Sequence, residues 1–320
     1  MFFLTKLTVW NILRVEQCGR GGPRKVTTGR AQTIRSHPEL RLGLIGRGIR
    51  LSRTPRMHEA EAAAQGLACS YELLDTDAGT AGSLEEIVAW AEAEGFAGLN
   101  VTYPYKQEIM PLLDDLSSAA TRVGAVNTVV FREGRRSGHN TDYWGFSESL
   151  RQNLPGAEVD CVLLIGAGGA GGAIGHALAD MGATRLLIAD KREGAAQSLA
   201  RSINGATGAE VASPVDDLSE ASAQTRGIVN ATPMGMAKMP GLPLEAGLIE
   251  ARHWVADIVY FPLETALLRH ARETGCRTLS GEGMAIFQAV RAFELFTGVK
   301  PDADRMTEAF RAQSPEQGAA

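Results

Sequence analysis

The residues with the clearest chemical use form one run, Gly166-Ala167-Gly168-Gly169-Ala170-Gly171, and an acid, Asp190, follows about twenty residues later. At this spacing Gly166 permits a tight turn, Gly168 lets the backbone approach a pyrophosphate, and Gly171 lets a following helix lie close to a sheet. The first-turn N–H groups of such a helix, with its partial positive charge, suit the pyrophosphate. A carboxylate at Asp190 accepts hydrogen bonds from ribose hydroxyls and repels a 2′-phosphate, which favours NAD over NADP. Lys191 and Arg192 pull the other way, because cations there can hold a 2′-phosphate. The plainer reading makes them solvated charges after a strand.

This chemistry needs a strand before the glycines, a helix after them and a second strand ending at the acid. The sequence supplies all three. Val159–Ile165 is a short apolar run of the kind buried on both faces of a parallel sheet. Ala173, Ile174, Ala177 and Leu178 recur at helical spacing, and Gly182 is a suitable stop. Arg185–Asp190 is a second apolar run that ends in the acid. Such a strand–turn–helix–strand unit predicts a Rossmann dinucleotide-binding domain.

The chain has 320 residues, enough for two domains. A hydrophobic share of 44% and a charged share of 22% are those of a soluble globular protein. A net charge of −5 argues against wholesale nucleic-acid binding, and no apolar run approaches the length of a membrane span. Cys18, Cys69, Cys161 and Cys276 are widely spaced, which predicts free thiols in a reducing, cytoplasmic setting and no metal cluster. Residues 1–36 carry Lys6, Arg14, Arg20, Arg24, Lys25, Arg30 and Arg35 against one acid, Glu16. They are read as a disordered extension, as is the 312–320 tail; an organelle transit peptide is the other reading of the basic segment.

From Arg41 the pattern alternates. Leu42–Gly46 predicts a strand, and Thr54 is expected to cap a helix with Pro55 in its first turn. Cys69–Leu74 is a second strand, and Ser83 and Glu86 have capping-box spacing for a helix to Glu94. Phe96–Thr102 is a third strand, and these β-α-β units point to a second parallel sheet. The stiff segment after it, with Pro104 and Pro111, presents Thr102 and Lys106 at the carboxyl end of that sheet, where ligands bind in open α/β folds. Gly124–Phe131 and Gly138–Asp142 read as two strands around a turn. Tyr143–Leu150 opens a helix into the nucleotide domain. After Asp190, strands are expected near Val211 and at Gly227–Thr232, Trp254–Tyr260 and Arg277–Leu279. Helices are expected at Asp216–Gln224, Leu263–Glu273, Met284–Phe296 and Asp302–Phe310.

Over nearly all of residues 41–311 the chain resembles the shikimate dehydrogenase family. The resemblance rests on Gly43-Leu44-Ile45-Gly46, on Ser52-Arg53-Thr54-Pro55 with His58, and on Asn100-Val101-Thr102-Tyr103-Pro104-Tyr105-Lys106. It continues in Gly124-Ala125-Val126-Asn127-Thr128, Asn140-Thr141-Asp142, the glycine run, Asn230-Ala231-Thr232-Pro233-Met234-Gly235, and Gly283-Met284 with Gln288-Ala289. Thr54, where biosynthetic members have serine, together with Asp190 and with Ala195 in place of a second base, resembles the NAD-linked quinate/shikimate branch. The resemblance implies two α/β domains. Residues 40–143 with 284–311 would form an N-terminal substrate-binding domain, and 144–283 an inserted Rossmann domain, with the site in the cleft.

The implied reaction is hydride transfer between a ring secondary alcohol and nicotinamide, giving 3-dehydroshikimate or 3-dehydroquinate. The alcohol must lose its hydroxyl proton as the hydride leaves, so a base must reach that oxygen. The resemblance implies Lys106 and Asp142 as this pair. An ordinary lysine, with a pKa near ~10.4, is a poor base at neutral pH, and burial and a neighbouring carboxylate act on it in opposite directions. Lys106 is therefore expected to relay the proton and Asp142 to orient both hydroxyl and ammonium; otherwise Asp142 would be an N-cap before Tyr143 and Lys106 a surface lysine. Ser52 and Thr54 are candidates for the substrate carboxylate, with Tyr260 nearby. Thr102, Asn127 and Gln288 are candidates for ring hydroxyls. Asn230, Thr232 and Met234 would line the cofactor, and Gly283 would let the chain pass the nicotinamide. His58 is expected to be structural. The competing readings are an NADP-dependent biosynthetic enzyme and a non-catalytic metabolite sensor on the same fold. Monomer and homodimer both stay open.

Overall fold

A computed structural model describes residues 39–78, 80 and 82–312. The expected extension over 1–36 and the tail from residue 313 lie outside the described residues, as does Cys18.

Strand β1 (Leu40–Gly46) leads to helix α1 (Thr54–Ala64), strand β2 (Cys69–Asp75), helix α2 (Leu84–Ala93) and strand β3 (Gly98–Val101). The short strand β4 (Asp115–Leu116) and helix α3 (Ser118–Val123) precede the hairpin of β5 (Thr128–Arg132) and β6 (Arg135–His139), and helix α4 (Thr141–Asn153) leaves it. Among the described residues these strands form a six-stranded sheet in the order β2-β1-β3-β5-β6-β4. The sheet is parallel through β2, β1 and β3, but β5 pairs antiparallel with both β3 and β6. The expectation of a parallel sheet therefore holds for the β-α-β part and for the β4–β6 pair but not for β5, since the two-residue turn at Glu133–Gly134 can join β5 and β6 only as antiparallel neighbours.

The second half alternates strand and helix except between its third-last and second-last strands. It runs β7 (Cys161–Ile165), α5 (Gly169–Asp180), β8 (Arg185–Ala189), α6 (Ala195–Thr207), β9 (Ala212–Pro214), α7 (Leu218–Gln224), β10 (Gly227–Asn230), β11 (Trp254–Asp257), α8 (Ala266–Glu273) and β12 (Arg277–Leu279). The strands pair in parallel in the order β12-β11-β10-β7-β8-β9. The order reverses between β7 and β10, so a crevice opens at their carboxyl ends, between the glycine turn and the turn after Asn230. Val162, Leu163, Leu164, Ile188, Ile228 and Val255 are fully buried, as strands covered on both faces require.

Helices α9 (Gly281–Thr297) and α10 (Ala303–Arg311) return to the first sheet. Phe293, Met306 and Phe310 pack with Met57 of α1, and Ala292 and Phe296 pack with Leu42 and Leu44 of β1. Glu61 of α1 is fully buried and ties α10 down. It accepts from Arg305 Nη1 (2.6 Å) and from the Asp302 N–H (3.0 Å). α9 crosses α4 at Gly145, where a Cβ would stand 2.8 Å from the Gln288 nitrogen and 2.9 Å from the Met284 carbonyl oxygen.

Helix entries differ in detail from expectation. The capping box of Ser83 and Glu86 forms as expected. Thr54 does not cap α1. The helix begins at Thr54 itself, after Arg53, without a side-chain cap. The Thr54 N–H instead donates to Ser52 Oγ at 3.3 Å, which turns the two hydroxyls toward each other.

Candidate active site

Two chain segments bring Lys106 and Asp142 together. Lys106 follows β3, and its carbonyl accepts from the Val126 N–H at 2.7 Å, which fixes the loop against the chain entering β5. Asp142 is the second residue of α4. Asn140 caps that helix, accepting from the Tyr143 N–H at 3.1 Å and donating to the Ala125 carbonyl at 3.0 Å. Buried Asn127 accepts from the Thr141 N–H at 2.7 Å and donates to Thr141 Oγ1 at 3.0 Å. With the cap provided by Asn140, the Asp142 carboxylate is available to Lys106, and Nζ lies 2.5 Å from Oδ2. Both side chains are largely buried, at 20% and 11% exposed. The Lys106 stem lies against the other sheet's glycine turn, for a Cβ on Gly169 would stand 3.6 Å from Lys106 Cδ. The polar pair thus sits where the two halves of the fold meet.

The remaining substrate candidates surround this pair unevenly. Ser52 Oγ and Thr54 Oγ1 are 3.2 Å apart at the carboxyl end of β1. Thr102 follows β3, and its N–H donates to the Ile45 carbonyl at 2.9 Å, so it stands beside the same strand end. Gln288 is half-buried at the α4–α9 crossing, next to Gly145 and hence one turn from Asp142 along α4; its Nε2 donates to the Ala285 carbonyl at 2.9 Å. Tyr260, 39% exposed, stacks edge-on against Phe310 at 5.9 Å. Arg53 was not among the sequence candidates. Its guanidinium lies 5.0 Å over the same Phe310 ring and donates to the Phe310 carbonyl at 2.9 Å. A cation therefore stands at the Phe310 ring that Tyr260 also meets, and its place within the Ser52-Arg53-Thr54 run was the available signal.

The dinucleotide expectations can be tested on the backbone. Gly166 has φ +108°, outside the range most side chains adopt. A Cβ on Gly171 would run into the Gly166 carbonyl, so the close helix–strand approach requires glycine there. A Cβ on Gly168 would meet nothing nearer than Arg192 Nη2 at 3.9 Å, which leaves room for a phosphate against the first turn of α5. The residues present therefore fit a dinucleotide. Ala167 and Ala170 complete the turn, and the Ala167 N–H donates to Asp190 Oδ2 at 2.7 Å. Asp190 directly follows β8, with Lys191 exposed beside it. Its carboxyl is held down to about 2, chiefly by hydrogen bonds from Arg192.

On the far side of the glycine turn the assignments shift. Asn230 is fully buried. It donates to the Met234 carbonyl and Asp257 Oδ1, both at 2.9 Å, and accepts from Thr232 N and Oγ1. All of its hydrogen-bonding capacity is taken up by the turn and by Asp257 of β11. Thr232 faces the glycine run, with its methyl 2.9 Å from a Cβ placed on Gly166, and Met234 is half-buried. Gly283 packs on α4, where an added Cβ would run into Ser149 Oγ and stand 2.9 Å from Asn153 Nδ2. The glycine that passes the sheet's strand ends is Gly281, against the carbonyls of Ile258 and Val259. Fully buried His58 packs against Tyr71, Phe293 and Phe296 in the core. Among the described residues no group of three or more His, Cys, Asp or Glu could hold a metal ion.

Comparison with known proteins agrees with this arrangement. Residues 44–129 match the shikimate dehydrogenase substrate binding domain, and residues 281–309 match the shikimate 5′-dehydrogenase C-terminal domain. A quinate/shikimate dehydrogenase (NAD(+)) of Corynebacterium efficiens is 50% identical over 86% of this chain and 99% of its own length. A shikimate dehydrogenase (NADP(+)) of Streptomyces avermitilis is 49% identical over 83% of this chain and 92% of its own. The solved quinate dehydrogenase from Corynebacterium glutamicum in complex with NAD superposes with a TM-score of 0.83, at 48% identity, covering 85% of this chain and 98% of that one. NAD- and NADP-linked relatives match almost equally, so overall identity does not decide the nucleotide. The paired lysine and aspartate, the glycine turn and these relatives lead to one assignment: the chain belongs to the shikimate dehydrogenase family of oxidoreductases.

Proposed function

We propose that this protein oxidises shikimate, quinate or both with NAD, reversibly, with Lys106 and Asp142 as the catalytic pair. The observation that carries this reading is the 2.5 Å Lys106–Asp142 pair beside Gly169, at the opening of α5. When bound, the nicotinamide supplies the hydride acceptor for oxidation and the donor for reduction. The glycine turn and the first turn of α5 would hold its pyrophosphate, with Asp190 at the adenosine ribose. Residues 40–143 and 284–311 would hold the substrate, and residues 144–283 the nucleotide.

The protein's own part is proton handling and orientation. As the alcohol carbon gives up hydride, the neutral Lys106 amine takes the hydroxyl proton; in reduction the ammonium returns it. Asp142 accepts from Lys106 Nζ and holds it in one orientation, so nitrogen and the reacting hydroxyl oxygen meet in a fixed geometry. Ser52 and Thr54 offer hydroxyls to the substrate carboxylate. Thr102, Asn127 and Gln288 serve the ring hydroxyls. The presence and pairing of Lys106 and Asp142 speak against a non-catalytic sensor. Arg192 favours a second reading, NADP-linked biosynthetic reduction of 3-dehydroshikimate.

The ligand is a small molecule, and we infer a cytoplasmic enzyme working as monomer or homodimer. Among the described residues no helix is long and apolar enough to cross a membrane. Initial rates with shikimate and quinate, each with NAD and with NADP, test the proposal. Turnover of both substrates with NAD preferred is expected. Turnover of shikimate alone with NADP preferred would replace this reading with the biosynthetic one.

A further inference from the structure

The carboxylate expected to receive the ribose is not open. Asp190 is 8% exposed and accepts four hydrogen bonds. They come from Ala167 N at 2.7 Å, Arg192 N at 2.8 Å, and Arg192 Nε and Nη2 at 3.0 Å each. A carboxylate has about four lone-pair sites, so a ribose hydroxyl finds none vacant. The guanidinium holds one oxygen with Nε and the other with Nη2, the planar bidentate geometry arginine favours.

The two partners are not equally held. Asp190 directly follows a buried strand and is pinned by the Ala167 N–H of the glycine turn. The Arg192 side chain is 59% exposed, so its guanidinium can leave the carboxylate for water or for an anionic ligand. Its Nη2 also stands only 3.9 Å from the Cβ position of Gly168. The guanidinium therefore lies between strand end and glycine turn, across the approach of the nucleotide's adenosine half. Of the two residues, Arg192 is the one that can move.

We propose that Arg192 is a movable gate on Asp190 that lets this chain accept both nucleotides. In the free protein the guanidinium closes the carboxylate. When NAD binds it swings off, and Asp190 accepts from the ribose hydroxyls. When NADP binds, the displaced guanidinium pairs with the 2′-phosphate and offsets its repulsion by Asp190. This rests on the dinucleotide reading above and extends it by assigning opposite tasks to two neighbouring residues.

Calorimetric titration of the full-length protein with NAD, NADP, ADP and 2′,5′-ADP tests it, using Arg192→Ala, Arg192→Lys and Asp190→Ala variants. Arg192→Ala is expected to weaken NADP and 2′,5′-ADP by at least ~10-fold. It is expected to change NAD and ADP affinity by no more than about fivefold. Arg192→Lys should recover part of the NADP affinity, and Asp190→Ala should favour NADP over NAD. Equal weakening of both nucleotides by Arg192→Ala, or no change in either, would overturn the gate while leaving dinucleotide binding intact. Wild-type protein that binds neither nucleotide would overturn the dinucleotide reading and the gate with it.

Discussion

Replacing His58 with phenylalanine is expected to stabilise the protein at neutral pH and to flatten its loss of stability in acid. The ring lies 5.1 Å from that of Tyr71 and 5.9 Å from those of Phe293 and Phe296, and neither nitrogen has a hydrogen-bond partner. Burial lowers its pKa from 6.5 to about 3. The native protein thus keeps the ring neutral while the unfolded chain takes up a proton below about pH 6.5. Stability from this group is fully present above 6.5 and is lost as pH falls toward 3, at up to about 1.4 kcal/mol per pH unit. Between pH 7 and pH 4.5 the loss amounts to about 2.5 kcal/mol. Phenylalanine keeps the aromatic packing and removes the titration. It also removes two unsatisfied polar atoms, which is worth about 1 kcal/mol at pH 7. Urea unfolding of both proteins at the two pH values measures each effect. Equal acid losses in wild type and variant, or a variant weaker by more than about 1 kcal/mol at pH 7, would refute the reasoning and imply that the nitrogens are hydrogen-bonded.

Three further outcomes follow from the geometry. Gly171→Ala forces a Cβ into the Gly166 carbonyl and pushes α5 off the sheet; NAD affinity should fall at least ~10-fold by titration, with a lower melting temperature. Asp142→Asn keeps the shape but loses the charge that orients Lys106, so kcat should fall at least ~100-fold while nucleotide affinity by titration stays the same. Glu61→Ala removes the acid that holds both Arg305 and the Asp302 N–H. Because Arg305 can still reach water, the cost in urea unfolding should be about 2 kcal/mol, again without change in nucleotide affinity.

Where local rules act alone, the sequence was readable. The glycine turn, the strands on either side of it and the Ser83 capping box all reflect short-range backbone requirements, and each forms as expected. Helix α6 carries a readable signal that the motif reading does not use, for Ala196, Leu199, Ala200 and Ile203 recur at helical spacing on its buried face. The two-residue strand β4 and short helix α3 carry too little pattern to be seen. At the site, polar types in motifs named the right neighbourhood but not the contacts. That Asn127 and Asn140 fix the start of α4, that Arg192 closes Asp190, and that Gly281 meets the strand ends are outcomes of tertiary packing. Arg53 shows the same limit. Its charge was visible in the chain, but its position over Phe310 depends on α10 returning from the far end of the sequence.

The most direct test of the central claim is turnover by Lys106→Met. Formation of reduced nicotinamide from shikimate or quinate is measured beside NAD affinity on the same sample. The account predicts a kcat at least ~100-fold below wild type with NAD affinity retained, because Lys106 handles the substrate proton rather than holding the nucleotide. Wild-type turnover in this variant, with NAD still bound, would contradict the claim that Lys106 and Asp142 carry the reaction.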